Sequence, residues 1–238
     1  MSPAREAEAL STGRSVQDTY LWCMLVLTFS TGIADAVGYL ALDKVFTGNM
    51  TGNVVILGMG VAGTTGLPVA GPLLALVAFM LGAALGGRAM RGRAGLPSGR
   101  AFALIGVVGA AFGAAAIVFA VGPVHEGAPT AHGMTVLLAA AMGLQAAVAR
   151  RIAVKDVTTV VVTSTITGLA ADSPLGQGTA QPWRRRAGAI ALIGAGATVG
   201  ALLVSVSVWL SVAVPALISL GVAVVGARLT RRYAAPLA

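Results

Sequence analysis

The residues best suited to chemistry form two polar groups inside otherwise apolar stretches. The first group is Asp35 together with Asn49, Thr51 and Asn53 from the segment 46–53, which reads Phe-Thr-Gly-Asn-Met-Thr-Gly-Asn. A helix through that segment would set Asn49 and Asn53 one turn apart on one face. These carboxyl, amide and hydroxyl groups could bind a polar solute or water. The alternative is that the amides and hydroxyls only join one membrane helix to another.

Asp35 is the most informative single residue, because a carboxyl group within an apolar stretch is costly to keep there and commonly faces a cavity or a polar partner. Asp35 is therefore a candidate proton carrier or cation ligand. The alternative is a carboxylate near the membrane surface that pairs with Lys44 or hydrogen-bonds to the segment 46–53.

The second polar group lies in the second half of the chain. It consists of Gln145 and of Thr163 and Thr167, which a helix would set one turn apart. Other hydroxyl residues surround the two threonines, but hydroxyls in helices often bond back to the backbone carbonyls. We therefore keep only Thr163 and Thr167 as candidates from that stretch.

Sequence motifs for catalysis are absent. The sequence contains no nucleotide-binding loop, zinc motif or nucleophile elbow. Its two histidines, His125 and His132, lack the cysteine or carboxylate spacing of a metal site. The single cysteine, Cys23, has no partner for an intrachain disulfide. We predict no catalytic residue, no metal and no cofactor, and we expect that the protein is not an enzyme.

The elements that position these groups must be membrane helices. The chain has 238 residues, of which 57% are hydrophobic and 10% charged, whereas soluble domains carry about 25% charged residues. The net charge is +8, but the basic residues form short clusters between apolar runs, as in cytoplasmic loops of membrane proteins. We predict an all-α polytopic protein whose partner is the lipid bilayer and which binds no nucleic acid.

Apolar length predicts six spanning helices, since about 20 helical residues cross the hydrocarbon core. Spans are predicted at 20–42, 67–87, 101–122 and 133–149, and the stretch 187–227 can hold two that turn near 207–211. Two shorter apolar pieces remain, 45–62 and 157–171. Around a single membrane domain, 20–227, we expect a polar N-terminal arm, 1–19, and a basic tail, 228–238.

The distribution of basic residues indicates whether the short pieces cross. If neither crosses, every basic residue except Lys44 lies on the side of both termini, which is then the cytoplasm. If both cross, the 16 basic residues divide evenly. If only the first crosses, just Arg5 and Arg14 are misplaced, so charge alone leaves that alternative open. We predict an inner-membrane protein with both termini cytoplasmic.

Self-similarity selects between these topologies. Gly143-Leu-Gln-Ala-Ala follows the similar Gly32-Ile-Ala-Asp-Ala by 111 positions, Thr163-Ser-Thr follows Thr51-Gly-Asn by 112, and Gly196-Ala-Thr-Val-Gly follows Gly82-Ala-Ala-Leu-Gly by 114. Equivalent pieces should behave alike, so neither short piece crosses. The repeats, 20–122 and 133–227, then have three spans each, and an odd number inverts the second. The short pieces become re-entrant or broken helices.

Several of these motifs together resemble a known family. They are Gly32-x-x-Asp35-Ala36, Phe46-x-x-Asn49-Met50-Thr51-Gly52-Asn53, and Met142-Gly143-Leu144-Gln145 before a Thr-rich run. The combination resembles the YoaK family of bacterial membrane proteins, whose function is unknown. The resemblance implies a multi-spanning inner-membrane protein and no particular substrate. Ala146 stands where the family often has Asn, and Thr163-Ser164 replaces a second Thr-Gly pattern, so roles at those positions do not carry over.

We expect a small-solute transporter or channel in which the two polar groups meet near the bilayer centre. The predicted site residues are Asp35, Asn49, Thr51, Asn53, Gln145, Thr163 and Thr167. The cargo would be a small solute or a proton. The alternative is a scaffold that transports nothing, holds a partner and satisfies its polar residues internally. Either protein could form a homo-oligomer.

The topology can be measured with single cysteines in a Cys23→Ala background. Thiols at Gly95 and Gly176 should react from the cytoplasmic side, and thiols at Thr65 and Glu126 from the other side, because neither short piece crosses. Labelling of Thr65, Glu126 and Gly176 together, opposite to Gly95, would instead mean eight spans in parallel repeats.

Overall fold

The computed structural model describes residues 3–63, 66–92, 99–122, 124–152, 162–179 and 181–233. Within these ranges the chain forms eight helices and no strand. The helices are α1 (Pro3–Ala41), α2 (Met50–Val61), α3 (Ala70–Ala89), α4 (Gly99–Val121), α5 (Pro129–Ile152), α6 (Val162–Ala171), α7 (Trp183–Val206) and α8 (Val208–Tyr233). The all-α prediction is confirmed.

Six of the described helices are long and apolar enough to cross a membrane. They are α3, α4, α5 and α7 in full, Asp18–Ala41 of α1 and Val208–Arg231 of α8. The remaining two, α2 and α6, are apolar helices of 12 and 10 residues. This division into six spans and two short helices confirms the count predicted from apolar length. Helix α1 begins at Pro3, so the described part of the predicted polar arm continues into the first span as one helix.

The uncharged stretch 187–227 divides at Ser207, near the predicted turn. Ser207 has extended backbone, with φ −166° and ψ 125°, and α8 begins at the next residue. The Ser207 N–H donates to the Leu203 carbonyl at 2.7 Å, and the Ser207 carbonyl accepts from the Ser211 N–H at 3.2 Å. Both helix ends therefore keep a hydrogen bond at the break, which reduces the cost of interrupting a helix near the membrane.

Helices α1 and α7 pack side by side in parallel, and glycines allow their backbones to touch. A Cβ on Gly196 would overlap the Phe29 carbonyl, and a Cβ on Gly200 would lie 2.9 Å from the Ile33 Cα. Residue numbers rise together along both helices, which makes the pair parallel. Small residues four apart permit such close approach between membrane helices.

The pair α3 and α5 uses the same arrangement. A Cβ on Gly82 of α3 would overlap the Ala140 carbonyl, and a Cβ on Gly143 of α5 would overlap the Phe79 carbonyl. A third pair, α4 and α8, is antiparallel, because Gly109 faces Ala216 at one level while Gly226 faces Phe102 at another. Contacts of α1 with α8 and of α4 with α5 join the three pairs into one bundle.

The two ends of the bundle differ in the helices that begin or end there. At one end, called the Glu126 face, α1, α4 and α7 finish and α3, α5 and α8 start. Asp43, just after α1, accepts a hydrogen bond from the Gly127 N–H, just before α5, at 2.5 Å. Leu40 of α1 and Ser207 line one cavity at this end. The opposite end, where α7 starts, is called the Arg186 face.

Helix α2 is re-entrant, as expected for the piece 45–62. After α1 the chain turns back into the bundle, since the Val45 N–H donates to the Gly38 carbonyl at 3.3 Å. Helix α2 then rises again until Gly60 lies against Pro68, just before α3. Its 12 residues span about 18 Å, less than the roughly 30 Å of hydrocarbon. The N-terminus of α2 therefore lies inside the bundle.

Helix α6 is the described part of the second short piece, 157–171, whose first residues lie outside the described ranges. It packs against α7. A Cβ on Gly168 of α6 would lie 2.9 Å from the guanidinium of Arg186 in α7. The second short helix is thus attached at the Arg186 face, whereas α2 is attached at the Glu126 face.

The close α1/α7 contact predicts a difference between two glycines of one helix. Gly196→Ala should destabilise the protein by about 1 to 3 kcal/mol, because the added methyl group would strike the Phe29 backbone. Gly194→Ala is the matched control, since nothing lies within 4 Å of its Cβ position, and alanine favours helix by about 1 kcal/mol. Thermal unfolding in detergent measures both, and equal effects would contradict the described packing.

Candidate functional site

Asp35 lies in α1 about two turns before the helix ends and is 9% exposed. Its Oδ1 atom accepts a hydrogen bond from the Gly48 N–H at 2.6 Å. The Asn49 N–H and the Thr47 hydroxyl also donate to Oδ1, each at 3.4 Å. These donors stand in front of the first turn of α2, where backbone N–H groups have no partner within a helix. Asp35 therefore caps the re-entrant helix with a negative charge, which the helix dipole favours.

The two asparagines of the first polar group build the turn that leads into α2. Asn49 is the N-cap residue, and its Oδ1 accepts from the Gly52 N–H at 3.3 Å. Asn53 is 1% exposed and bonds to both polar groups of the Phe46 backbone, accepting from its N–H at 2.7 Å and donating to its carbonyl at 2.6 Å. Gly52 is required here because a Cβ would lie 2.6 Å from the Phe46 ring. Both amides therefore have structural roles.

Gln145 joins Asp35 through a neighbouring turn of α1. It is 1% exposed, and its Nε2 donates to the Thr31 hydroxyl at 3.2 Å. Thr31 in turn donates to the Leu27 carbonyl at 2.9 Å. Thr31 lies one turn before Asp35, and a Cβ on Gly48 would touch the Thr31 side chain at 3.2 Å. Thr31, Asp35, Thr47, Gly48 and Gln145 form one buried group, which we call the Asp35 cluster.

The remaining predicted site residues point away from this cluster. Thr51 is exposed at the start of α2, and Thr163 and Thr167 are exposed on α6. In the described part of the chain no hydrogen bond joins any of the three to Asp35 or Gln145. The structure thus joins Asp35 to the Asn49 backbone and brings Gln145 to the same part of α1 through Thr31. Asn53 bonds instead to Phe46, and the three threonines remain predictions.

Thr31 and Thr47 belong to the site but were not among the residues predicted from the sequence. Thr31 lies one turn from Asp35, and this i, i+4 spacing was a usable signal. Thr47 was recognised only as part of the segment 46–53. It is fully buried, because the descending chain turns it toward Asp35.

The Asp35 cluster offers one carboxylate, and no arginine or lysine lies among its described members. The N-terminus of α2 would attract an anion, but Asp35 already occupies it. A proton or cation that reached the carboxylate would compete with the N–H groups of Gly48 and Asn49. In the described ranges no three His, Cys, Asp or Glu residues lie together as metal ligands would. The arrangement therefore suits a proton or a monovalent cation better than an anion.

A second polar group holds the re-entrant segment at the Glu126 face. Asp43 is 6% exposed, and its Oδ2 lies 2.9 Å from the His132 Nε2. Lys44 pairs with Glu126 at 3.2 Å rather than with Asp35. Lys44 has φ 52°, an uncommon conformation for a residue with a side chain. Two consecutive residues thus attach the loop after α1 to the α4–α5 connection and the start of α5.

The asparagine turn predicts unequal effects of two substitutions in the same helix. Asn53→Ala should destabilise the protein by about 1 to 3 kcal/mol, because it leaves two partly buried backbone groups of Phe46 without their partners. Thr51→Ala is the control and should change the free energy of unfolding by less than about 0.5 kcal/mol, since Thr51 is exposed. Thermal unfolding in detergent tests this, and a larger loss in the control would contradict the described turn.

Comparison with known proteins agrees with this architecture. The UPF0700 transmembrane protein YoaK of Bacillus subtilis (strain 168) is 32% identical over 152 residues, which covers 62% of this chain and 64% of YoaK. The match therefore spans less than two thirds of the relative. No solved structure matches. Residues 23–225 match the family described as protein of unknown function, DUF1275. The predicted resemblance is thereby confirmed, and the chain belongs to the DUF1275 family of membrane proteins.

Proposed function

We propose that the protein is a small-solute transporter or channel whose pathway passes the Asp35 cluster. The observation that carries this proposal is the re-entrant helix α2, which begins inside the bundle against the buried carboxylate of Asp35. Discontinuous helices of this kind form the substrate and ion sites of many transporters. Backbone that ends at membrane depth is tolerated only where protein or water surrounds it.

The symmetry of the helix contacts supports two inverted repeats. Suppose that α1 is equivalent to α5, α3 to α7 and α4 to α8. Exchanging the repeats then turns the pair α1/α7 into the pair α5/α3, and it leaves the pair α4/α8 unchanged. All of these pairs are in contact. The glycine contacts agree with this symmetry. Gly32 faces Ile193. Gly143, which lies 111 positions after Gly32, faces Phe79, which lies 114 positions before Ile193. In transporters with such repeats the solute site lies where the repeats meet, and here Thr31 bonds to Gln145 across that boundary.

The charges support an orientation in which the Arg186 face lies in the cytoplasm. Apart from Lys44, the described basic residues outside the polar arm lie near helix ends at the Arg186 face. They are Arg88, Arg91, Arg100, Arg150, Arg151, Arg184, Arg185, Arg186, Arg228, Arg231 and Arg232. Cytoplasmic loops carry such an excess of arginine and lysine. The Glu126 face would then be outside.

Contacts at opposite faces suggest how the two short helices could move in turn. Asp43 attaches the segment before α2 at the Glu126 face through Gly127 and His132. At the Arg186 face, the Arg186 guanidinium donates to Asp172, just after α6, at 2.7 Å. Each re-entrant piece thus has its own attachment at its own face. We propose that neutralising Asp35 loosens the N-terminus of α2 and so couples a proton or cation to this movement.

Flux through reconstituted protein tests the proposal. Asp35→Asn should reduce the flux of solute or protons across the liposome membrane at least tenfold. The amide keeps an acceptor for the Gly48 N–H but loses the charge of the carboxylate. Asp18→Asn is the control: it removes an exposed carboxylate from the same helix and should leave flux unchanged. The assay would screen small cations, amines and neutral solutes under an imposed pH gradient.

A membrane scaffold is the second candidate, and the internally satisfied amides of Asn49 and Asn53 favour it. If no solute moves, and if a thiol at Asn49 in the Cys23→Ala background reacts with charged reagents from neither side, the scaffold replaces the transporter. Flux that Asp35→Asn does not change would also contradict a pathway through the Asp35 cluster. Neither proposal includes catalysis.

A further inference from the structure

A cavity of about 480 Å³ opens at the Glu126 face, where the break between α7 and α8 lies opposite the ends of α1 and α4. Its apolar walls include Leu40, Phe119 and Trp209, and its polar lining includes Ser207, His125 and Glu126. Sites for small molecules have this size and this combination of apolar walls with few polar groups, roughly 300 to 1,000 Å³. The Asp35 cluster contributes no residue to this lining, so the cavity is a separate feature.

Helix ends make the cavity electrically negative. Three helices finish at its wall, represented by Ala41 of α1, Gly122 after α4 and Val204 of α7, and only α8 starts there. The last carbonyl groups of a helix have no partner within it, and they carry about half an elementary negative charge. One helix N-terminus offsets one of the three C-termini. The backbone therefore favours a cation in this cavity.

The side chains act in the same direction once Glu126 is released from Lys44, whose ammonium group lies 3.2 Å from the Glu126 carboxylate. Glu126 is the acidic residue of the lining, and its side chain is 56% exposed. No lysine or arginine is among the described lining residues. Trp209 and Phe119 add aromatic faces, which attract cations. An anion would be repelled by Glu126, and a divalent metal ion would lack a second carboxylate.

We propose that this cavity binds a small organic ammonium ion. Its apolar body would lie against Leu40, Phe119 and Trp209, and its ammonium group would bind Glu126 and the neighbouring helix carbonyls. This binding is independent of the transport proposed for the Asp35 cluster. The same chemistry occurs in a soluble amine and in the headgroup of phosphatidylethanolamine, and these two sources can be distinguished by experiment.

Lys44 is the built-in competitor of such a ligand. Its ammonium group lies 3.2 Å from the Glu126 carboxylate, the group that the ligand would use. A bound ammonium ion would therefore displace Lys44 and free one of the two residues that attach the re-entrant segment at this face. Removing the Lys44 charge should strengthen binding, whereas removing the Glu126 charge should weaken it.

Trp209 itself can report on binding. The protein has three tryptophans, and Trp22→Phe with Trp183→Phe leaves Trp209 alone; the first two are 65% and 55% exposed. The purified double variant in dodecyl maltoside micelles, which carry no ammonium group, would be titrated with phenethylammonium. Phenylacetate and 2-phenylethanol, which have the same phenyl group without the ammonium, would be titrated in parallel. We expect a saturable change in Trp209 fluorescence with phenethylammonium alone. Empty micelles correct for partition into detergent.

Variants with opposite signs make the test specific. In that background Glu126→Gln should weaken phenethylammonium binding about tenfold, and Lys44→Gln should tighten it about threefold. Asp18→Asn, an exposed carboxylate at the start of the α1 span, should change nothing. Because the two lining variants shift affinity in opposite directions, general loss of structure cannot produce the expected pattern.

Phosphatidylethanolamine added to the micelles identifies the source of the ammonium group. Weaker phenethylammonium binding with this lipid than without it would assign the cavity to the lipid headgroup, and equal binding would assign it to a soluble amine. The proposal is overturned if phenylacetate or 2-phenylethanol binds as well as phenethylammonium, if no probe binds, or if Glu126→Gln leaves the affinity unchanged.

Discussion

The fold depends on a carboxylate that caps a helix inside a membrane. A helix that begins at membrane depth exposes backbone N–H groups to an environment without water, and each unpaired group is costly. Asp35 meets this requirement for α2 by accepting from Gly48 and, at longer range, from Asn49. Without such an acceptor the chain between α1 and α3 could not enter the bundle. The buried charge is tolerated because three donors and a helix dipole face it.

This constraint gives Asp35 a structural role, and the proposed transport would give the same residue a functional one. Asp35 holds the N-terminus of α2, so any proton or cation that binds the carboxylate also weakens its hold on the helix. The Asp43 and Lys44 contacts hold the same segment at the Glu126 face, where the cavity proposed to bind an ammonium ion also lies. A ligand bound at either place would therefore act on α2. Helix α6 is held at the other face, where Arg186 of α7 donates to Asp172.

Much of the architecture could be predicted from the sequence because apolar length is a local property. The six spans, the turn near 207–211 and the short helix after α1 all follow from the length that a bilayer requires. The importance of Asp35 also followed locally, since a carboxyl group in an apolar stretch needs a partner whatever the fold. Glycines four residues apart, as at Gly82/Gly86 and Gly196/Gly200, are a local signal of close helix packing, and both pairs lie at helix contacts.

The partners of these residues were decided only by the tertiary structure. Periodicity set Asn49 and Asn53 on one helix face, but Asn53 bonds back to Phe46 because the chain turns before α2. Gln145 reaches Thr31, and Lys44 reaches Glu126, across separations that no local pattern encodes. Thr163 and Thr167 have the right chemistry but lie on the exposed side of α6. The sequence by itself determined which segments are buried in lipid, because transfer from water depends on composition. The packing of helices determined which polar groups meet, because hydrogen bonds depend on distance and direction.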